Sequence, residues 1–463
     1  MEPTYWENDL CLIALNSWLM PCQHASQSST DNRLDRRSFM KAAVAIGGVS
    51  AASAVSTRQQ DAPPSGTGNR DALPDRQFAW DEHTPLNDIG LPKGPSHRVL
   101  LHLRYAGEGT PTEKERQQVE QAFRTLERAF EWSNEGLLFT VGYSLTYFDR
   151  FDAGLPDGTG LMGPETVIDR VDIEHSGEVT PETDDAHIHL ASDDPQAVIE
   201  ADAALRGEID EVNGERMPQD LSVAFEVVDR RTGFVGAPLP HERFGEDVDR
   251  ENPIDEDAPV MFGFKSLFRD SQPNEDHVAI TGEGHPFADG TTEHVSILWD
   301  QINDWYEDHD HDERVERMYS PHHSSDSTGQ HGRELGRRSG PKGDSMTEVA
   351  HEIDEDAREQ AVVGHAQKMA RARDPLPPLL RRDFPSTDGG HPHTQFVSLQ
   401  RSIEDFIEVR ELMSFVNPDS DDDASEELPL EDHGIQAYFE TLRRGNYFIP
   451  PRDLRSLPPA DPA

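Results

Sequence analysis

HRVLLHLRYAGEGTPTEKERQQVEQAFRTLERAFEW, residues 97–132, carries two periodicities in succession. HRVLLHLRY (97–105) is a short, mostly apolar run closed by a Gly-bearing turn, which predicts a strand. Thr112 and Glu115 then stand at capping-box spacing. Val119, Phe123, Leu126 and Phe130 recur on one helical face, so an amphipathic helix follows. LLFTVGYS (137–144) reads as a second strand, and AHIHLASDDPQAVIEADAAL (186–205) as strand, turn and helix. LSVAFEVVDRRTGFVG (221–236) supplies another strand. Strand–helix–strand, twice over, predicts an α+β domain with an antiparallel sheet across 97–240.

HERFGEDVDRENPIDEDAP (241–259) is polar and proline-bearing and marks a boundary. Beyond it the same kinds of element return. EHVSILWD (293–300) and HTQFVSLQ (393–400) read as strands, while INDWYEDHDHDERVERMY, GHAQKMARAR and SIEDFIEVRELMSF read as helices. A second domain over 254–455 is expected, interrupted by an acidic, solvated insertion at 417–433. The halves look like a structural duplication, without a repeat in the residues themselves. Residues 57–96, rich in Pro, Gly, Asp and Gln, read as an exposed tether.

The chain carries 89 acidic against 42 basic residues, a formal net charge of −47. Most of the basic residues are arginine. Such charge opposes compaction unless it is screened, and at 1 M salt the Debye length falls to about 3 Å. The acid-rich, lysine-poor composition resembles that of proteins from extreme halophiles. No basic stripe offers phosphate contacts, so nucleic-acid binding is disfavoured. Apolar residues make up only 34 %, yet the patterned segments argue for true cores.

Residues 35–41 read DRRSFMK and precede AAVAIGGVSAASAV. The pair Arg36-Arg37 with Ser38, Phe39, Met40 and Lys41 before a mild apolar run resembles a twin-arginine export signal, with Ala52-Ser53-Ala54 as a small-residue cleavage pattern. The run is too short for a membrane span, which needs about 20 residues. Residues 1–56 are therefore expected to be an N-terminal extension and signal read by the twin-arginine translocase, and the mature chain to be extracellular or at the cell surface with no transmembrane span. Both cysteines, Cys11 and Cys22, fall in this leader. A mature chain without them excludes disulfides, thiolate haem ligation, Fe–S clusters and cysteine zinc sites.

AVVGHAQKMARARDPLPPLLRRDF (361–384) is the candidate for chemistry. Val362, His365 and Met369 share one helical face; on spacing alone His365 is either a packed histidine or a ligand. The prolines that follow end the helix, and LLRRDF resumes as a short strand able to bring an arginine back over that face. Imidazole suits iron among other metals. The histidines of HDHDE (309–313), SPHH (320–323) and HPH (391–393) lack a metal-binding frame and read as surface residues. RELGRRSGPKG (333–343) reads as a solvated basic loop rather than an anion site. Trp299, Trp305, Tyr306 and Tyr319 suit either packing or electron relay.

Taken in order, several pieces resemble the dye-decolourising peroxidases: LLFTVGYSLTYFDRF, HIHLASDDPQAV, FGFKS (262–266), VGHAQKMAR, LLRRDFP, TQFVSLQRSIEDFIE and GNYFIPPR, spread over 97–455. The resemblance implies two ferredoxin-like domains of the dimeric α+β barrel type, with helices outside antiparallel sheets. It also implies haem b as cofactor, hydrogen peroxide as oxidant and an electron donor that the sequence does not name; a homo-oligomer stays open. Carried over residue by residue, His365 becomes the iron ligand and Arg381 the distal arginine, with Arg382 and Asp383 beside it. Gly263 and Phe264 belong to the family's G-F-x-D-G loop against the haem.

The departure lies in that loop, where Ser266 occupies the position of the acid/base aspartate and Leu267 that of the glycine. A hydroxyl orients water but does not hold a proton reversibly near neutral pH. Asp383 or Asp270 could substitute, Arg381 and water could suffice, or haem could bind without peroxidase turnover.

Overall fold

Helix α1 (Glu113–Ala129) begins where its cap dictates: Glu115 N donates to Thr112 Oγ1 at 3.3 Å, and Thr112 N to Glu115 Oε2 at 2.7 Å. Its buried face, Val119, Phe123 and Leu126, joins Val99, Leu101 and Leu103 of strand β1 (His97–Tyr105) in one apolar cluster. Truncating Phe123 to alanine there is expected to cost roughly 3–5 kcal/mol. The D-D-P-Q turn has an equally local cause. Asp194 accepts from Gln196 N at 2.8 Å, and Pro195 occupies the first helical position. Asp193 meanwhile accepts from Ser96 N at 2.8 Å, tying the turn to the start of β1.

The computed structural model describes residues 62–87, 90, 92–171, 178–244, 254–282, 284–333, 340–414 and 434–462, all within one unit, Arg33–Ala463. The proposed export signal, both cysteines, the acidic insertion and residues 334–339 of the basic loop lie outside the described residues. Among the described residues, no helix is long and apolar enough to cross a membrane.

The remaining strands are β2 (Leu138–Tyr143), β3 (Thr180–Pro181), β4 (Ala186–Ser192), β5 (Glu211–Val212), β6 (Glu215–Arg216), β7 (Phe225–Phe234), β8 (Thr291–Asp300), β9 (Leu380–Arg381), β10 (Phe384–Ser386), β11 (His393–Gln400) and β12 (Phe439–Ile449). The main sheet runs β10-β11-β8-β12-β2-β4-β1-β7, each neighbour antiparallel. Each half is strand–helix–strand, strand–helix–strand, and in each the spatial order of its four main strands is second, third, first, fourth. That is the ferredoxin-like arrangement, and its recurrence is the duplication the sequence suggested.

The halves meet at both edges. Phe448 pairs with Tyr143 between β12 and β2. At the other edge Gly233 of β7 lies against Phe384 and Pro385 of β10; a Cβ there would stand 2.3 Å from each. Thr232 N and Oγ1 each donate to Asp388 at 2.6 Å. The sheet thus curls towards a barrel, as expected for this class.

Residues 62–96 depart from the tether expectation. Phe78 and Gln77 are fully buried and Trp80 is 2 % exposed. Gln77 bridges the β2–β12 junction: its amide donates to Pro450 O at 2.8 Å and accepts from Val141 N at 3.0 Å. Composition flagged the Pro and Gly; three anchoring side chains decide the outcome.

Candidate functional site

In the second half, helices pack on the outer face of the sheet and enclose a cavity of ≈ 190 Å³. The strand alternation sets its floor. Arg382 N donates to Val397 O at 2.7 Å, so β9 and β10 continue as one ladder along β11. Period 2 then places Arg381, Asp383 and Pro385 on the cavity side. Arg382 points the other way, donating to Phe78 O and Glu275 Oε1 at 2.6 Å each and lying 4.0 Å over the Trp80 ring. The expectation that Arg382 shares the distal side is therefore corrected: it clamps the N-terminal strap, residues 62–96, at Phe78 and Trp80.

Two helices form the opposite wall. One is α2 (Ile403–Ser414), whose Phe406, Arg410 and Met413 follow i, i+4, i+7 and face the cavity. Before it in the chain lies the short helix His365–Ala370, which contributes His365 and Met369. Because the helix starts at His365, Val362 precedes it, and the three-residue face read from spacing does not exist. Its position is set by Gly364, where a Cβ would fall 1.9 Å from Tyr319 O. Gln367 completes the anchor, accepting from Gly364 N at 3.1 Å and donating to Asp356 Oδ2 and Val349 O at 2.6 Å.

His365 lines the cavity, while its Nδ1 is buried with no hydrogen-bond partner among the described residues. Burial pushes the imidazole well below its ordinary pKa, and Arg381, Lys368 and Arg410 push it the same way. The ring is thus a neutral base, the form that ligates metals. Arg381 donates from Nη1 to Ser266 Oγ at 2.9 Å, and its backbone N to Gln272 Oε1 at 2.6 Å. Its Nη2 is buried and unpartnered. Lys265 Nζ lies 3.7 Å from Asp383 Oδ2. Burial alone would lift the Asp383 carboxyl; Lys265 and Arg381 outweigh it and hold the group below the usual carboxylate range.

Of the residues anticipated from sequence, His365, Arg381, Asp383, Ser266 and Phe264 share this one cavity. Gly263 does not line it, but turns the loop at φ 85°. Asp270, at φ 64°, is also off the cavity wall. Lys265, Arg410 and Arg444 were missed. Scarcity was the available signal for Lys265, one of six lysines; nothing in the sequence distinguished the two arginines from the other thirty-four.

Aromatics weighed for relay brace the loop instead. Trp305 Nε1 donates to Phe262 O at 3.2 Å, Tyr306 Oη to Met261 O at 2.9 Å and Tyr319 Oη to Lys265 O at 3.1 Å. Trp299 is 39 % exposed. His322, Glu352 and Asp356 bring donor atoms within 4.8 Å of one another at the surface, where Asp356 also serves Gln367.

The model of the family of unknown function DUF7405 matches residues 95–451. The chain belongs to that family. No curated protein matches it. Among solved structures it is similar to a putative DyP-type peroxidase from Shewanella oneidensis (14 % identity, TM-score 0.47, covering 79 % of this chain and 95 % of that one). It is also similar to a DypB variant from Rhodococcus jostii in complex with heme (16 %, 0.47, 82 % and 97 %) and to ferric DtpA from Streptomyces lividans (15 %, 0.48, 82 % and 92 %).

Proposed function

We propose that this DUF7405 protein binds haem b through His365 and reacts with hydrogen peroxide, passing oxidising equivalents to an external donor. The observation that carries the reading is that a neutral His365 and a half-buried Arg381, whose Nη2 is buried and unsatisfied, line one cavity. The donor set suits the group. An imidazole offers the axial ligand, and Phe264, Leu298, Phe396 and Phe406 offer flat apolar walls. Arg410 and Arg444 give a cationic lining suited to carboxylates, in a chain of net charge −47. Bound haem would supply redox-active iron.

The protein's own part is positioning and proton control. The Arg381 guanidinium, held by Ser266 while Gln272 pins the backbone N–H of the same residue, meets negative charge as it develops on a peroxide oxygen and cannot itself deprotonate. The buried apolar walls keep bulk water from the reaction. Ser266 orients; Asp383, held as an anion, is a weak proton acceptor.

A second reading, haem binding without peroxidase turnover, is favoured by Ser266 in the aspartate position and by the missing acceptor at His365 Nδ1. One experiment separates them. The chain from residue 57 onward is loaded with haem in high salt and its spectrum recorded before and after peroxide. A Soret band lost in His365→Ala and altered by peroxide is expected. No band overturns both readings; a band inert to peroxide leaves the second. Export by the twin-arginine route and a saline, extracellular working environment complete the proposal, resting on DRRSFMK and the acidic composition. Replacing Arg36-Arg37 with lysines should retain the protein in the cytoplasm.

A further inference from the structure

The cavity poses a proton problem that the residues anticipated from sequence do not solve. Peroxide must lose a proton from one oxygen and gain one on the other, so a group that both accepts and returns a proton has to reach it. The titratable groups lining the cavity among the described residues are His365, Lys265, Asp383 and three arginines, Arg381, Arg410 and Arg444. The arginines stay charged. His365 is committed as ligand on the opposite wall. Asp383 is an anion flanked by Lys265 and Arg381, and a carboxylate so stabilised gives up any proton it takes. Ser266, between Lys265 and the rest of the loop, spends its hydroxyl on Arg381.

We propose that Lys265 Nζ is the proton carrier of this cavity, with Asp383 holding the amine in position. The inference rests on the haem reading above and deepens it. Geometry supports it first: the Lys265 side chain is only 13 % exposed, opens on the same cavity as Arg381, stands 3.7 Å from Asp383 and sits on a loop pinned through its own carbonyl by Tyr319. Its environment agrees. Burial pushes the ammonium below the usual lysine range; Asp383 opposes this, while Arg381 beside it and Arg98 of β1 add to it. The amine therefore exchanges its proton nearer neutrality than an exposed lysine does, which suits a carrier.

The step balances. An O–H bond of peroxide breaks as an N–H bond forms at Nζ. That N–H bond then breaks as an O–H bond forms on the far oxygen, which leaves as water when the O–O bond opens. The amine ends as it began, and the two electrons that the O–O bond accepts would come from the bound haem.

Hydrogen cyanide offers a test without turnover, because it too must lose a proton to bind ferric haem. Cyanide association, followed by the Soret shift between pH 5 and 10 on the haem-loaded chain, should rise with pH through an inflection below the lysine range. Lys265→Gln and Lys265→Arg should each remove that inflection and slow association by roughly 100-fold. In Asp383→Asn the inflection should persist at lower pH, because the anion that favours the ammonium is gone. Unchanged rates in both Lys265 variants overturn the proposal, as does loss of the inflection in Asp383→Asn alone, which would make Asp383 the base. A Lys265 variant that loses the Soret band itself is replaced as evidence by ¹³C-dimethyl-lysine NMR of the unsubstituted chain. There, the resonance that is absent from Lys265→Arg should titrate below the usual lysine range, and an ordinary titration of that resonance refutes the assignment. Failure of the unsubstituted chain to bind haem is a separate result, and refutes the cofactor reading.

Discussion

Arg381 donates to Ser266 at 2.9 Å across 115 residues of sequence. The contact joins the second-half sheet to the loop that carries Lys265, and it puts a hydroxyl where a carboxylate would meet a guanidinium. Ser266→Asp is expected to form a charge-assisted pair with Arg381. Its added anion also favours the Lys265 ammonium, as Asp383 does, so the pH of half-maximal peroxide reaction should rise. Stopped-flow decay of the Soret band across pH reads this directly, and an unmoved profile would place the limiting proton transfer away from this loop.

Gly364 sets His365 by close approach rather than by a special backbone angle. Its would-be Cβ meets Tyr319 O at 1.9 Å, a contact no rotamer relieves. Gly364→Ala should force the His365 helix off its seat, lowering stability by about 1–3 kcal/mol and weakening haem binding together with it. Thermal unfolding and haem titration in the same buffer should both change.

Asp300 gives a pH signature independent of the site. It is 1 % exposed, its Oδ1 has no partner among the described residues, and Oδ2 accepts from Thr394 at 2.9 Å. Burial raises its pKa well above the ordinary value, against the Thr394 hydrogen bonds. A raised folded pKa means stability present below the unfolded value near 3.9 and lost as pH climbs towards the folded one. Asp300→Asn should therefore match the unsubstituted protein near pH 4 and exceed it at pH 8, by roughly 1–3 kcal/mol. Denaturant midpoints at the two pH values decide it.

Gln77 is the strap's polar anchor at the β2–β12 junction. Gln77→Ala leaves Val141 N and Pro450 O without this partner in a buried place, at a cost of about 1–3 kcal/mol. A lower denaturant midpoint measures this cost, and an unchanged midpoint on deleting residues 62–80 would show that the strap is dispensable. The strap also marks where sequence reading ran out. β1, α1 and β11 were legible because cap, period and length agreed within each. Residues 62–96 carry no period, and Phe78 and Trp80 are buried by partners hundreds of residues away. The site divides similarly. His365 and Arg381 could be paired through the order of segments, whereas Arg382 was misplaced because one residue of register turns a side chain to the other face. Lys265 became visible only when Asp383 stood beside it.

The surroundings of His365 carry a last expectation. A ligating histidine usually gives its second N–H to an acceptor, which places negative charge behind the ligand and favours the oxidised metal. Here Nδ1 finds no acceptor among the described residues, and Arg381, Lys368 and Arg410 are the charged groups that act on the ring. Both features favour the lower-charged, reduced iron of a bound haem. Arg381→Leu removes one cation from this field without touching the ligand. The midpoint potential, followed by spectroelectrochemistry at fixed pH and high salt, should drop in that variant. It should stay in place in Arg382→Leu, whose guanidinium faces Trp80 and Glu275 on the other side of the strand. Equal shifts in the two variants would mean that Arg381 acts through the fold and not through the field at the iron.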